Sequence, residues 1–217
     1  HRTPRKFEKQ VYTGHKTASG TDAYASGDAT VGYDDVNGIL TYRLLLNTTK
    51  ADEGNIVIND DLPSGQTLDE SSIKAVFRDS ADGGGEYSDN GGWGDQKSDL
   101  NGNQKLSYTT STNADGTTHL QIKIPNYKYF NSRTLIAVTY KVSIAGDPTW
   151  ADPKNASKTY TNTADWNGHS STTNTKVTHD VKNISKTGEQ LDKDGNPVKT
   201  DAAGNPTVAP SGTIRYY

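Results

Sequence analysis

Three residues in this sequence could do chemistry together, and each stands where strand alternation calls for an apolar side chain. Residues two apart in a strand share a face. In Lys6 to Tyr12 the row Phe7, Lys9, Val11 sets an amine between apolar neighbours. In Asn55 to Asp60 the row Ile56, Ile58, Asp60 ends on a carboxyl, and in Tyr160 to Trp166 the row Tyr160, Asn162, Ala164, Trp166 holds a carboxamide. One core built from these rows contains a lysine, an aspartate and an asparagine. Burying an amine and a carboxylate is costly unless they pair or neutralise. Desolvation lowers a lysine pKa and raises an aspartate pKa, so in a dry site both can be neutral. A neutral Lys9 is a nucleophile; a protonated Asp60 can donate to the Asn162 carboxamide oxygen and pass a proton to departing ammonia. The product is a Lys-Asn isopeptide bond. From the residues alone a plainer alternative stays open: Lys9 reaches water at a strand end, Asp60 begins the turn Asp60-Asp61-Leu62-Pro63, and Asn162 bonds a neighbouring loop.

Elements that could position these groups are legible as strands. Thr alternates with Val, Ile and Tyr in short runs: Lys6 to Tyr12, Ile39 to Asn47, Asn55 to Asp60, Ser72 to Arg78, Lys105 to Thr110, His119 to Ile124, Thr134 to Ile144, Tyr160 to Trp166 and Thr175 to Val181. Asn37-Gly38, Pro63-Ser64-Gly65, Asp115-Gly116, Asp147-Pro148 and Asn167-Gly168 separate them as turns. Without helical crossovers, the pattern predicts an all-β, immunoglobulin-like antiparallel β-sandwich. Its expected extent is residues 1–181. Residues 182–217 read as a linker or the start of a following repeat, because Ser211-Gly212-Thr213-Ile214-Arg215-Tyr216 echoes Asn37-Gly38-Ile39-Leu40-Thr41-Tyr42. Between Asp79 and Asn103 a long Gly/Asp-rich segment carries a lone Trp93, a candidate ligand-contact loop. Its carboxylates do not have the spacing of an EF-hand calcium loop.

Composition removes whole classes of function. The chain of 217 residues has no Cys and no Met, so disulfides, thiolate nucleophiles and zinc-thiolate sites are excluded. Lys and Arg total 23 against 26 Asp and Glu, a net charge of -3 that offers nucleic acid no footprint. No run of about 20 apolar residues suits membrane insertion. The apolar fraction is only 30%, yet 12 Tyr, 3 Trp and 3 Phe supply large bodies to bury. His1, His15, His119, His169 and His179 show no metal-binding spacing, and no nucleophile elbow or phosphate loop is present. No cofactor is expected. The absence of an initiator Met and the abrupt end at Tyr217 lead us to expect an internal piece of a longer chain.

Three passages resemble the isopeptide-forming immunoglobulin-like domains of Gram-positive cell-surface adhesins and pilins, most closely the second half of the collagen-adhesin ligand-binding region. They are Tyr42-Arg43-Leu44-Leu45-Leu46-Asn47, Ile56-Val57-Ile58-Asn59-Asp60-Asp61-Leu62-Pro63-Ser64-Gly65-Gln66-Thr67-Leu68-Asp69 and Tyr160-Thr161-Asn162-Thr163-Ala164-Asp165-Trp166. The resemblance implies Asn162 as the cross-linking asparagine, Asp60 as the catalytic acid and a lysine in the first strand, hence Lys9. Lys16 is the rival, because the segment Thr13 to Asp35 is longer than in the collagen adhesin. It further implies a surface or cell-wall location and attachment to a host or extracellular-matrix protein or glycan, with neighbouring repeat domains as partners. A purely structural stalk domain is the alternative, and a secreted carbohydrate-active enzyme module is a remote one. Apart from single-turnover bond formation, no enzymatic activity is expected.

Overall fold

The computed structural model describes residues 6–47, 55–78, 86–87, 106–124, 135–152, 154–179, 188–191 and 213–216. The chain divides into two compact units, His1–His179 and Asp180–Tyr217. In the first, strands β1 (Lys6–Lys16), β2 (Asp22–Ser26), β3 (Asp28–Gly32), β4 (Ile39–Asn47), β5 (Ile56–Leu62), β6 (Thr67–Arg78), β7 (Glu86–Tyr87), β8 (Ser107–Thr112), β9 (Thr118–Ile124), β10 (Leu135–Ser143), β11 (Ser157–Trp166) and β12 (His169–Thr178) form two sheets. One runs β2-β1-β4-β10-β6-β7 and the other β3-β12-β11-β5-β9-β8. The second unit holds the antiparallel pair β13 (Gly188–Leu191) and β14 (Thr213–Tyr216).

The first unit is an immunoglobulin-like β-sandwich whose core comes from alternate residues of both sheets. Val11, Leu44, Leu46, Val138 and Val142 meet Ile56, Ile58, Leu120, Ile122 and Trp166, all buried. Threonines fill the outward positions. Thr161 donates to Asn174 at 2.8 Å, and the Thr163 and Thr172 hydroxyls lie 2.9 Å apart, so β-branched stems stiffen the strand while hydroxyls satisfy one another.

Several elements depart from the sequence expectation. β2 and β3 fall in the segment Thr13 to Asp35, where no strand was expected: each is five residues long, and Val31 is the sole fully buried side chain in the pair. With no apolar row there is no period to detect. The sandwich is also not wholly antiparallel, because β3 pairs parallel with β12. The long intervening chain supplies the crossover that parallel pairing needs. β12 begins at His169 rather than Thr175, since the Asn167-Gly168 turn, with φ of 52° and 82°, is the tight type that folds the chain straight back onto β11. A single helical turn, α1 (Tyr33–Val36), precedes β4.

Asp147 closes one end of the sandwich. Its Oδ1 accepts from Thr149 N at 2.9 Å at the start of the 3-10 turn Pro148–Ala151, and its Oδ2 accepts from Lys158 Nζ and the Tyr160 hydroxyl, both at 2.6 Å. Gly65 abuts this carboxylate with φ of +89°, and a Cβ there would come within 2.3 Å of Oδ2. Burial pushes the Asp147 carboxyl up, but the bonds from Lys158, Tyr160 and Thr149 outweigh it and hold the pKa down to about 2. A depressed carboxylate contributes stability that is full above its unfolded pKa of about 3.9 and is lost as pH falls through the folded value. Thermal unfolding between pH 5 and roughly 2 should therefore show a falling midpoint that Asp147→Asn flattens.

Candidate functional site

Between the two sheets lies one polar layer in an otherwise apolar interior. Lys9 sits mid-strand in β1, opposite Leu44 of β4. Its backbone N–H donates to Ser171 Oγ at 2.8 Å, tying β1 across to β12. Tyr42 of β4 stands opposite Val11 on one side and Tyr140 of β10 on the other. From the facing sheet, Asp60 of β5 stands opposite Ala164 of β11. Asn162, two residues before Ala164, is the diagonal neighbour of Asp60 on the same face. Gln66 enters from the Pro63-Ser64-Gly65 turn.

Lys9, Asp60 and Asn162 are each 0% exposed. Lys9 Nζ donates to Asp60 Oδ1 and Oδ2, both at 2.7 Å, and to the Tyr140 hydroxyl at 2.8 Å. The Tyr140 hydroxyl in turn donates to Asp60 Oδ2. Nζ also lies 4.6 Å from the centroid of the Tyr42 ring. The Tyr42 hydroxyl donates to Asn162 Oδ1 at 2.9 Å and accepts from Gln66 Nε2 at 2.8 Å, while Asn162 Nδ2 donates to Gln66 Oε1 at 2.9 Å. Tyr42 thus touches both the amine and the carboxamide.

Burial pushes the Lys9 amine below its ordinary pKa, against the pull of Asp60. Burial likewise pushes the Tyr42 and Tyr140 hydroxyls up, so both stay protonated. Moving one proton across the 2.7 Å contact between Nζ and Asp60 Oδ1 converts the ion pair to an amine and a carboxylic acid. The layer can therefore present a nucleophile, an acid and an electrophile with little water around them.

The structure draws Lys9 and Asp60 into contact and joins Asn162 to them through Tyr42. Lys9 does not reach water, and Asp60 lies within β5 rather than in the turn. Lys16, the rival lysine, is exposed at the far end of β1 and pairs with Asp22 at 2.6 Å. Trp93 lies outside the described residues, as does most of 79–103. Among the described residues no three His, Cys, Asp or Glu side chains group as a metal site, and no helix is long and apolar enough to cross a membrane.

Sequence reasoning gave no role to Tyr42, Tyr140 or Gln66. The inward rows Tyr42, Leu44, Leu46 and Ile136, Val138, Tyr140, Val142 place both tyrosines inside, so their hydroxyls are legible as polar groups on apolar rows. Gln66, between a turn and a strand, has no periodic signal. It also lines an open groove of about 460 Å³ with Thr67, Leu68, Glu70, Thr110 and Thr112.

A β-sandwich with a buried lysine, acid and asparagine between its sheets is the class that fold and site define. Solved structures to which the chain is similar include surface adhesins and pilins of Gram-positive bacteria. The collagen-binding subdomain of the Enterococcus faecalis surface protein ACE is 16% identical with a TM-score of 0.35, over 65% of this chain and 88% of that one. The collagen adhesin of S. aureus is 17% identical with a TM-score of 0.36, over 65% of this chain and 44% of that one. The Corynebacterium diphtheriae major pilin SpaA, described with stabilising isopeptide bonds, is 12% identical with a TM-score of 0.41, over 96% of this chain and 49% of that one. At such identities and scores the likeness assigns neither ligand nor site. No protein-family model and no curated protein matches the chain.

Removing one member of a buried ion pair strands the other without water. In an Asn162→Ala background, where Lys9 keeps its free amine, adding Asp60→Ala should cost about 3–5 kcal/mol in equilibrium urea unfolding, and adding Lys9→Met with Asp60→Leu instead should avoid most of that loss.

Proposed function

We propose that this chain is a bacterial surface module of adhesin or pilin type that staples itself with an isopeptide bond between Lys9 and Asn162. The observation that carries the reading is the dry layer in which the Lys9–Asp60 pair and the Asn162 carboxamide share Tyr42. The three sequence passages that resemble surface adhesins support the cellular role.

The reaction balances within the layer. Nζ begins with three hydrogens and Nδ2 with two. One proton passes from Nζ to Asp60, and the neutral amine attacks Asn162 Cγ, forming the Nζ–Cγ bond. Asp60 gives that proton to Nδ2 and takes a second from Nζ as the Cγ–Nδ2 bond breaks. The products are one amide N–H, ammonia and a protonated Asp60, with no change in total charge. A covalent tie between the first strand and one near the end would stabilise a Cys-free domain by limiting the freedom of its unfolded chain, as a long-loop disulfide does.

The test is intact mass. Loss of one ammonia should leave the folded protein about 17 Da below its sequence mass, the signature of amine attack on a carboxamide. Asn162→Ala or Lys9→Ala should abolish the deficit, and Lys16→Ala should keep it. Full sequence mass in the folded wild type rules the bond out. For the adhesive role, the intact chain should bind saturably to at least one member of an array of matrix proteins and glycans, collagen among them. No saturable binding reduces the function to that of a spacer.

A further inference from the structure

We infer that Tyr42 and Gln66 activate the electrophile in this cross-linking reaction: Tyr42 as the donor to the developing oxyanion, and Gln66 as the residue that aims that donor and holds the leaving nitrogen. The assignment rests on the reaction proposed above.

Attack by Nζ on Asn162 Cγ drives negative charge onto Oδ1, so a donor aimed at Oδ1 acts where charge develops. The Tyr42 hydroxyl occupies that position, 2.9 Å from Oδ1. It has one proton, and its oxygen already accepts from Gln66 Nε2 at 2.8 Å, which directs the proton toward Asn162. Burial keeps the hydroxyl protonated. Gln66 Nε2 lies 3.4 Å from Oδ1 as well, a second donor that a small shift brings into range. On the other side of the carboxamide, Gln66 Oε1 accepts from Nδ2 at 2.9 Å. That bond fixes which end of the amide is oxygen and which must leave.

Position adds a second line of support. Gln66 is 5% exposed and lines the groove that opens between β6 and the β8–β9 pair. Nδ2 is bonded to Gln66, among the described residues the one buried side chain that also borders this opening. Ammonia released from Cγ therefore starts next to a path to solvent, while Lys9 and Asp60 remain enclosed. Neither Tyr42 nor Gln66 gains or loses an atom: the Nζ–Cγ bond forms, the Cγ–Nδ2 bond breaks, and both protons travel through Asp60 as described.

The experiment follows the full chain from cell-free synthesis, with aliquots quenched in acid and read by intact mass and companion aliquots by circular dichroism. Tyr42→Phe keeps the ring and should slow ammonia loss about a hundredfold relative to wild type, as loss of one oxyanion donor does. Gln66→Leu should slow it as well. Thr173→Val is the control: Thr173 stands opposite Asn162, fully buried, with a hydroxyl that has no partner, and its removal should leave the rate unchanged. Gln66→Glu separates chemistry from packing. Its carboxyl mimics the amide donor only when protonated, so the rate should fall as pH rises, a limb that wild type lacks. Tyr42→Phe and Gln66→Leu reacting at the wild-type rate overturn the assignment while leaving the cross-link standing. Full mass in the wild type overturns the cross-link itself. If Tyr42→Phe does not fold, the pH profile of Gln66→Glu decides: a profile matching wild type overturns the role of Gln66.

Discussion

The ammonium of Lys9 has no water, and much of the sandwich is arranged around that fact. A buried cation is tolerable only when its hydrogens and its charge are answered from within. Three acceptors do so: both oxygens of Asp60 and the hydroxyl of Tyr140. They come from opposite sheets, so the relation of β1 and β10 to β5 is fixed. A one-residue slip in any of these strands would turn the donor or its acceptor to the outer face and leave its partner uncompensated. Leu44, opposite Lys9 and Val138, makes the apolar floor that keeps the pair dry.

The Asp147 cluster shows what the central layer avoids. There too a lysine meets an aspartate within reach of a tyrosine, but Lys158 is partly exposed and the bonds simply hold the carboxylate charged. Among the described residues no carboxamide is bonded to that carboxylate. In the centre, full burial pushes the amine down, and the Tyr42 hydroxyl beside it is bonded to an amide. The same residue pair thus gives an end clamp where water reaches it and a fully enclosed pair where water does not.

How much of this was legible in the sequence followed from periodicity. β1, β4, β5, β10 and β11 carry clean alternating rows, so their inward residues, including Lys9, Asp60 and Asn162, stand out in the sequence. The turn chemistry was equally visible, with Asn167-Gly168 marking a turn whose following strand starts earlier than expected, because His169-Ser170-Ser171-Thr172 has no apolar row. β2 and β3 were invisible for the same reason: they are held by backbone pairing at a sheet edge. Gln66 escaped because its position depends on a turn whose geometry is tertiary, set against Asp147.

Sequence separation gives the polar layer a timetable. Lys9 is 51 residues from Asp60, 131 from Tyr140 and 162 from Ser171, to which its own backbone bonds. A ribosome delivers these partners in that order, so the Lys9 amine stays solvated until almost the entire domain has emerged. Pairings this distant also close slowly. During translation the exposed edge of β4 has only β1 to cover it, since β10 is made far later. The early strand pairs, β1 with β2 and β1 with β4, are the holding structure available until the last strands arrive to enclose Lys9.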